Sequence, residues 1–230
     1  MVRSSLAPLI AVVGCDGSGK STVADALLAH IRRYGPAETC HLGVQSGQIG
    51  RRIARLPLIG ALLDRKIANK SSRARDKHDK IPDPLTALVI YLFSLRRVRR
   101  FRRMLALRKR GIAVVTDRYP QTAVHGFFDG PGLTVAAATN PFVRMLARRE
   151  LALYEWMTSF SPDIVIRLNV DVETALARKP DHRRESIEAK VAATPQLSFG
   201  GAPILDLSSL DPLTEVIAAA ARAVDPIFAR

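Results

Sequence analysis

Leu9-Ile10-Ala11-Val12-Val13-Gly14-Cys15-Asp16-Gly17-Ser18-Gly19-Lys20-Ser21-Thr22 decides how the rest of the chain is read. An apolar, β-branched run stops at a glycine. Gly19, Lys20 and Ser21 then complete the spacing G-x-x-x-x-G-K-S of a phosphate-binding loop. Gly14, Gly17 and Gly19 let the backbone turn with no Cβ in the way, so successive N–H groups can face one concavity. A helix starting near Gly19 adds its positive end to the same point. Val23, Ala24, Leu27, Leu28 and Ile31 recur at helical spacing behind it. The expected ligands are ATP and Mg²⁺, held by Gly14, Asp16, Gly17, Ser18, Gly19, Lys20, Ser21 and Thr22. Lys20 reaches the β- and γ-phosphates and the Ser21 hydroxyl ligates the metal. Arg3 and the apolar stretch up to Cys15 also look like a lipoprotein signal. Pro8 breaks that stretch, and cleavage before Cys15 would destroy the loop.

The 230 residues suit one domain, residues 1–230, and 47% apolar residues supply a sizeable core. No apolar run approaches the roughly 18 residues that span a bilayer. Two cysteines make no disulfide framework, so cytoplasm is the expected compartment. A net charge of +14 points to acidic ligands: nucleotide phosphates, nucleic acid or an anionic membrane.

Strands alternate with helices, which predicts an α/β fold whose parallel sheet is covered on both faces. The expected strands are Leu9–Val13, Glu38–Val44, Ile112–Thr116, Asp163–Val170 and Pro203–Leu207. The expected helices are Lys20–Arg33, Pro84–Arg110, Asn140–Phe160, Val172–Arg178 and Pro212–Val224. Helical pieces interrupted by Pro57 are expected within 46–82. Its polar part, about 64–82, reads as a mobile loop or a flap over an anionic substrate. In the helix from Pro84, Leu85, Leu88, Leu92, Leu95, Val98, Phe101 and Leu105 are expected to form one apolar face. Nine basic residues lie between Arg96 and Arg110. Most read as a solvated face, with Arg96 or Arg97 turned to the cleft. Nucleic-acid or anionic-membrane contact is left open and not favoured; for nucleic acid, Phe101 stands almost alone among the cations.

Ligands sit beyond the carboxyl ends of strands in open parallel sheets. Topology therefore puts Asp117 near the phosphate loop, to hold Mg²⁺ or accept a proton, with Arg118 facing a phosphate. Phe127 or Phe128 could stack on a ring or pack inside. Arg178-Lys179-Pro180-Asp181-His182-Arg183-Arg184-Glu185 reads as a lid, about 178–186, whose arginines close on the transferring phosphoryl group.

The loop from Gly14 to Thr22, the Asp117-Arg118-Tyr119 strand end and the Pro162-Asp163 strand with its arginine-rich sequel resemble, in order, the thymidylate kinase family. The resemblance implies a three-layer P-loop NTPase fold with a five-stranded parallel sheet. It implies transfer of the ATP γ-phosphate to a nucleoside monophosphate. Asp16 would contact the acceptor, Arg118 and Arg96 or Arg97 would grip its phosphate, and Arg178, Arg183 or Arg184 would be lid residues. The catalytic set becomes Lys20, Asp117, Arg178 and Arg183; the metal set is Ser21 and Asp117. The family's Arg-Glu-Pro-Gly segment is replaced by His41-Leu42-Gly43-Val44. Val98-Arg99-Arg100 stand where the family's helix arginine is followed by a base-reading glutamine or asparagine, and Pro120-Gln121-Thr122-Ala123-Val124-His125-Gly126 replaces its usual Ser and Tyr-Gln-Gly pattern. A different small-molecule phosphate acceptor, such as a sugar, fits these departures, and a homodimer is left open.

Overall fold

The structure, a computed structural model, describes residues 6–43, 83–124, 129–133 and 140–229. The expected pieces within 46–82, the flap at 64–82, Val44, Phe127 and Phe128 lie outside the described residues. Five parallel strands form one sheet in the order β2-β3-β1-β4-β5: β1 Leu9–Gly14, β2 Ala37–Thr39, β3 Ala113–Asp117, β4 Ile164–Asn169 and β5 Ile204–Ser208. The α-helices are α1 Lys20–Ile31, α2 Pro84–Lys109, α3 Pro141–Thr158, α4 Val172–Arg178, α5 Arg184–Ala193 and α6 Leu213–Phe228. This is the P-loop α/β architecture.

The central strands are apolar on both faces, and the period of two sorts their side chains into two cores. Leu9, Ala11, Val13, Val114 and Val165 pack with Phe101 and Met104 of α2 and with Tyr154 and Met157 of α3. Ile10, Val12, Val115, Ile164 and Ile166 pack with Leu27 of α1 and Ala220 of α6. The chain leaves β1 for the β2 side of the sheet and later returns for β4 on the other. Such a reversal opens a crevice at the carboxyl end of β1.

Local signals set the helix starts. Asp83 accepts from Thr86 N at 3.2 Å, Asn140 from Phe142 N at 2.9 Å and Asp171 from Thr174 N at 2.7 Å, capping α2, α3 and α4. Pro84 and Pro141 occupy first-turn positions, where no N–H is missed.

Three expectations change. β2 stops at Thr39, because Cys40 N makes a last bond to Val115 O and His41 then turns toward Asp117. The first turns of α2 do not bury a leucine face: Leu85, Leu92 and Leu95 are 48%, 53% and 39% exposed. Ala87, Ser94 and Arg97 turn inward instead, against α3 and the loop at 129–133, with Leu88 and Ile90 half-buried beside Ala87, and the large apolar side chains of α2 are fully buried only from Val98 onward. Arg184–Ala193, of which only 184–186 fell within the expected lid and the rest had no expected element, form α5.

Glu150 explains the polar burial. Its carboxylate is fully buried, accepts from Leu133 N at 2.7 Å and Gly132 N at 3.2 Å, and takes the Ser94 hydroxyl as well. It ties α2, α3 and the 129–133 loop together. Glu150→Ala should lower the stability read from urea unfolding by about 3 kcal/mol, because three buried donors lose their acceptor.

Candidate functional site

The turn from β1 into α1 requires left-handed backbone. Gly17 has φ +86°, and a Cβ there would lie 2.8 Å from Ala175 O. Gly19 has φ +83° and opens α1. No side chain caps α1 and no acidic residue occupies its first turn. The N–H groups of that turn therefore keep their partial positive charge for an anion. Lys20 is only 8% exposed and donates to Cys15 O at 2.6 Å. Burial pushes its pKa down, and the Arg118 charge adds to the effect. An ammonium so desolvated has strong reason to meet phosphate oxygens.

β1 and β3 pair with Val12 opposite Asp117, which delivers Asp117 beside the loop. Ser21 Oγ lies 3.5 Å from Asp117 Oδ2, and Asp117 Oδ1 is buried with no hydrogen-bond partner. Mg²⁺ prefers hard oxygen donors and takes only one or two carboxylates beside phosphate and water. A hydroxyl and a carboxylate with one unspent oxygen fit that ion. Burial alone would raise the Asp117 pKa, but a hydrogen bond from His41 and the charge of Lys20 bring it below the usual carboxylate range. His41 Nδ1 lies 3.4 Å from Asp117 Oδ2. Motif reading missed His41, since a histidine after a short strand carries no spacing signal. Gly43 gives it room: a Cβ there would come within 2.7 Å of the imidazole and of Arg118 Cδ.

Gly17, Gly19, Lys20, Ser21, Asp117 and Arg178 line one cleft of about 380 Å³. Arg178 donates to Gly17 O at 3.1 Å and to Ser209 O at 3.0 Å, so it lies over the loop. A second cavity of about 260 Å³ adjoins it, walled by Ser18, Thr22, Leu213 and Val216.

On the other side of Lys20, Asp16 and Arg118 meet in a small pocket. Arg118 has φ +79°, a conformation that costs a non-glycine residue about 1–3 kcal/mol. Its guanidinium donates to Asp16 at 3.1 Å and stands 3.7 Å from Asp129. Lys190 of α5 also bonds Asp16, and His182 Nε2 lies 3.8 Å from it. Lys190 was not expected, because 184–193 was not read as a helix; its run of good helix formers was the available signal. These ion pairs close the pocket to about 30 Å³, although Tyr119, Leu197 and Phe199 leave an apolar floor.

Of the arginines expected here, Arg118 and Arg178 reach the cavities. Arg97 is 1% exposed and bonds Asp129 and Tyr154, the latter at 3.0 Å, so it buttresses the pocket wall from behind. Arg96 turns out to solvent on α2, and Arg183 is exposed 3.8 Å from Glu185. Neither lines these cavities. Arg184 is paired with Glu173 at 2.7 Å.

Burial opposes ionisation of Asp16, but the Lys190 bond and charge, with Lys20 and Arg118, bring its pKa down to about 2. The carboxylate cluster is therefore fully stabilising above the unfolded value near pH 4. That contribution, about 2 kcal/mol, disappears as the pH falls toward 2. Asp16→Asn should flatten the acid limb of the Tm–pH curve between about pH 4 and 2. An unchanged limb would show that the cluster does not hold the pocket.

No protein-family model matches the chain. Two Escherichia coli K12 proteins are similar along nearly their whole length. One, described as the uncharacterized ATP-binding protein YghS, is 45% identical over 225 residues, covering 97% of this chain and 95% of its own. The other, the uncharacterized ATP-binding protein YghR, is 41% identical over 231 residues, covering 97% and 92%. With that identity over that span, the chain belongs to the family that contains YghS and YghR.

Proposed function

We propose that the chain is an ATP-dependent phosphotransferase, similar in its donor side to thymidylate kinases. It would pass the γ-phosphate of ATP to a nucleoside monophosphate or a related small anionic acceptor. The observation that carries this reading is convergence. An uncapped helix start, a desolvated lysine, the Ser21–Asp117 oxygen pair and Arg178 share one cleft, and an ion-paired pocket opens beside it. The names of YghS and YghR support ATP as the donor.

In this reading the loop amides and Lys20 hold the β- and γ-phosphates. Arg178 and the apolar wall of Leu213 and Val216 hold the rest of the nucleotide. Ser21 and Asp117 would hold Mg²⁺, which neutralises phosphate charge. An acceptor oxygen forms the new bond to the γ-phosphorus while the bond to the β–γ bridging oxygen breaks, leaving ADP. A phosphate acceptor brings no proton to remove; with a hydroxyl acceptor, Asp117 would take the proton as the alternative to its metal role. The protein's share is positioning and fixed charge. Acceptor entry requires the Lys190–Asp16 and Arg118–Asp16 pairs to loosen, which frees two cations for the incoming group.

One observation favours a sugar or another polyol as acceptor. Arg97 is committed to Asp129, and the pocket offers Asp16 and Asp129 carboxylates that accept hydroxyl hydrogen bonds. ADP release across a panel of nucleoside monophosphates and sugars separates the two readings. No turnover with any nucleotide removes the first.

Lys20→Ala should lower transfer at least about a hundredfold with an unchanged Tm. Normal turnover in that variant would put the site elsewhere. Arg118→Ala should raise the acceptor KM far more than the ATP KM. Equal effects on both would contradict its placement on the acceptor side.

A further inference from the structure

We propose that the outer face of α2 docks on an anionic lipid bilayer. The inference stands on the surface of α2 and does not depend on the chemistry of the cleft. Leu85, Leu92, Arg99, Arg103 and Arg110 follow one another at intervals of seven or four residues, so they share one side of a helix about 39 Å long. All five are exposed. Leu95, Arg96, Arg102 and Lys109 widen the same stripe.

The stripe is divided along its length. Its first three turns present leucine to solvent, and its last four present cations. α2 contains no acidic residue, and Arg99, Arg103 and Arg110 have no acidic partner among the described residues. Among the described residues, four basic side chains of this helix make contacts within the fold: Arg97 with Asp129, Arg100 with Gly43 O, Arg108 with Asp163, and Arg102, at the edge of the stripe, over the Trp156 ring at 5.8 Å. The neighbouring helix adds to the pattern. Phe142 and Met145 near the start of α3 are 43% and 37% exposed, and Arg148 and Arg149 follow them on the surface. Five of the eight large apolar side chains exposed among the described residues thus belong to the first halves of α2 and α3.

Exposed leucines have a cost in water that a purely solvated charged face would not carry. A bilayer interface satisfies both halves: leucines and Phe142 enter the acyl boundary, and arginines bind lipid phosphates through forked guanidinium donors. A second copy of the chain fits less well, since pairing α2 on α2 would bring unpaired cations together. Nucleic acid would use the arginines and leave the leucines in water, and no exposed aromatic of α2 stands among its cations to stack a base.

The test is sedimentation of the full chain with phosphatidylglycerol–phosphatidylcholine vesicles and with pure phosphatidylcholine. Binding should be at least about tenfold tighter to the anionic vesicles and should weaken as salt shortens the Debye length. Arg99→Ala/Arg103→Ala/Arg110→Ala should lose about a hundredfold in affinity. Leu92→Ser/Leu95→Ser should lose about tenfold. Both variants should keep the Tm and the Mg-ADP affinity of the parent. Equal binding to neutral and anionic vesicles overturns the proposal, as does parent-like binding by the triple variant. It also fails if the chain ignores vesicles and binds duplex DNA, or forms a dimer that the leucine substitutions dissolve.

Discussion

A buried strand must stop, pass through left-handed backbone and restart as a helix within the span from Gly14 to Lys20. That constraint leaves α1 with an uncapped positive end at the centre of the sheet's carboxyl edge. Every polar arrangement nearby answers it. Lys20 is drawn back to Cys15 O, Arg178 is laid across Gly17 O, and Ser209 ties down Ser18 O at 2.8 Å. The result is a cationic concavity whose Cys15, Gly17 and Ser18 carbonyls are already used, which leaves the amides at the start of α1 to meet an anion.

Three carboxylates organise the other half of the site, and each does something different. Asp117 keeps one oxygen unspent beside Ser21. Asp16 cross-links the loop to the end of β3 and to α5 through Arg118 and Lys190. Glu150, fully buried, fastens the loop that presents Asp129, and Asp129 in turn meets both Arg97 and Arg118. Fixed ion pairs of this kind hold charges in place at low dielectric, so the geometry exists before a ligand arrives. The strained φ of Arg118 belongs to the same arrangement: Thr116 Oγ1 donates to its carbonyl at 2.8 Å and helps hold the turned backbone.

The phosphate loop, the place of Asp117 and the five strands were legible because each rests on short-range chemistry. Glycine spacing, β-branched runs and capping residues act within a few positions of themselves. The leucines of α2 misled for the opposite reason. Periodicity marks a face but not which side a neighbour covers, and Glu150 on α3 drew Ser94 inward where Leu92 and Leu95 were expected. Adjacent arginines show the same limit. Arg96 and Arg97 differ by one step of about 100° around the helix, enough to send one to solvent and the other into the wall behind Asp129.

By itself the sequence determined a parallel α/β sheet with a phosphate-binding turn at its centre, because those features are written in neighbouring residues. Only the tertiary structure decided that Lys190 and His41 join the site, that Arg97 supports it from behind, and that Arg96 and Arg183 stand apart. Those assignments depend on residues up to 174 positions apart reaching one carboxylate, as Lys190 reaches Asp16. Helical phase and burial, set by packing between α2, α3, α5 and the sheet edge, choose among side chains that look equivalent along the chain.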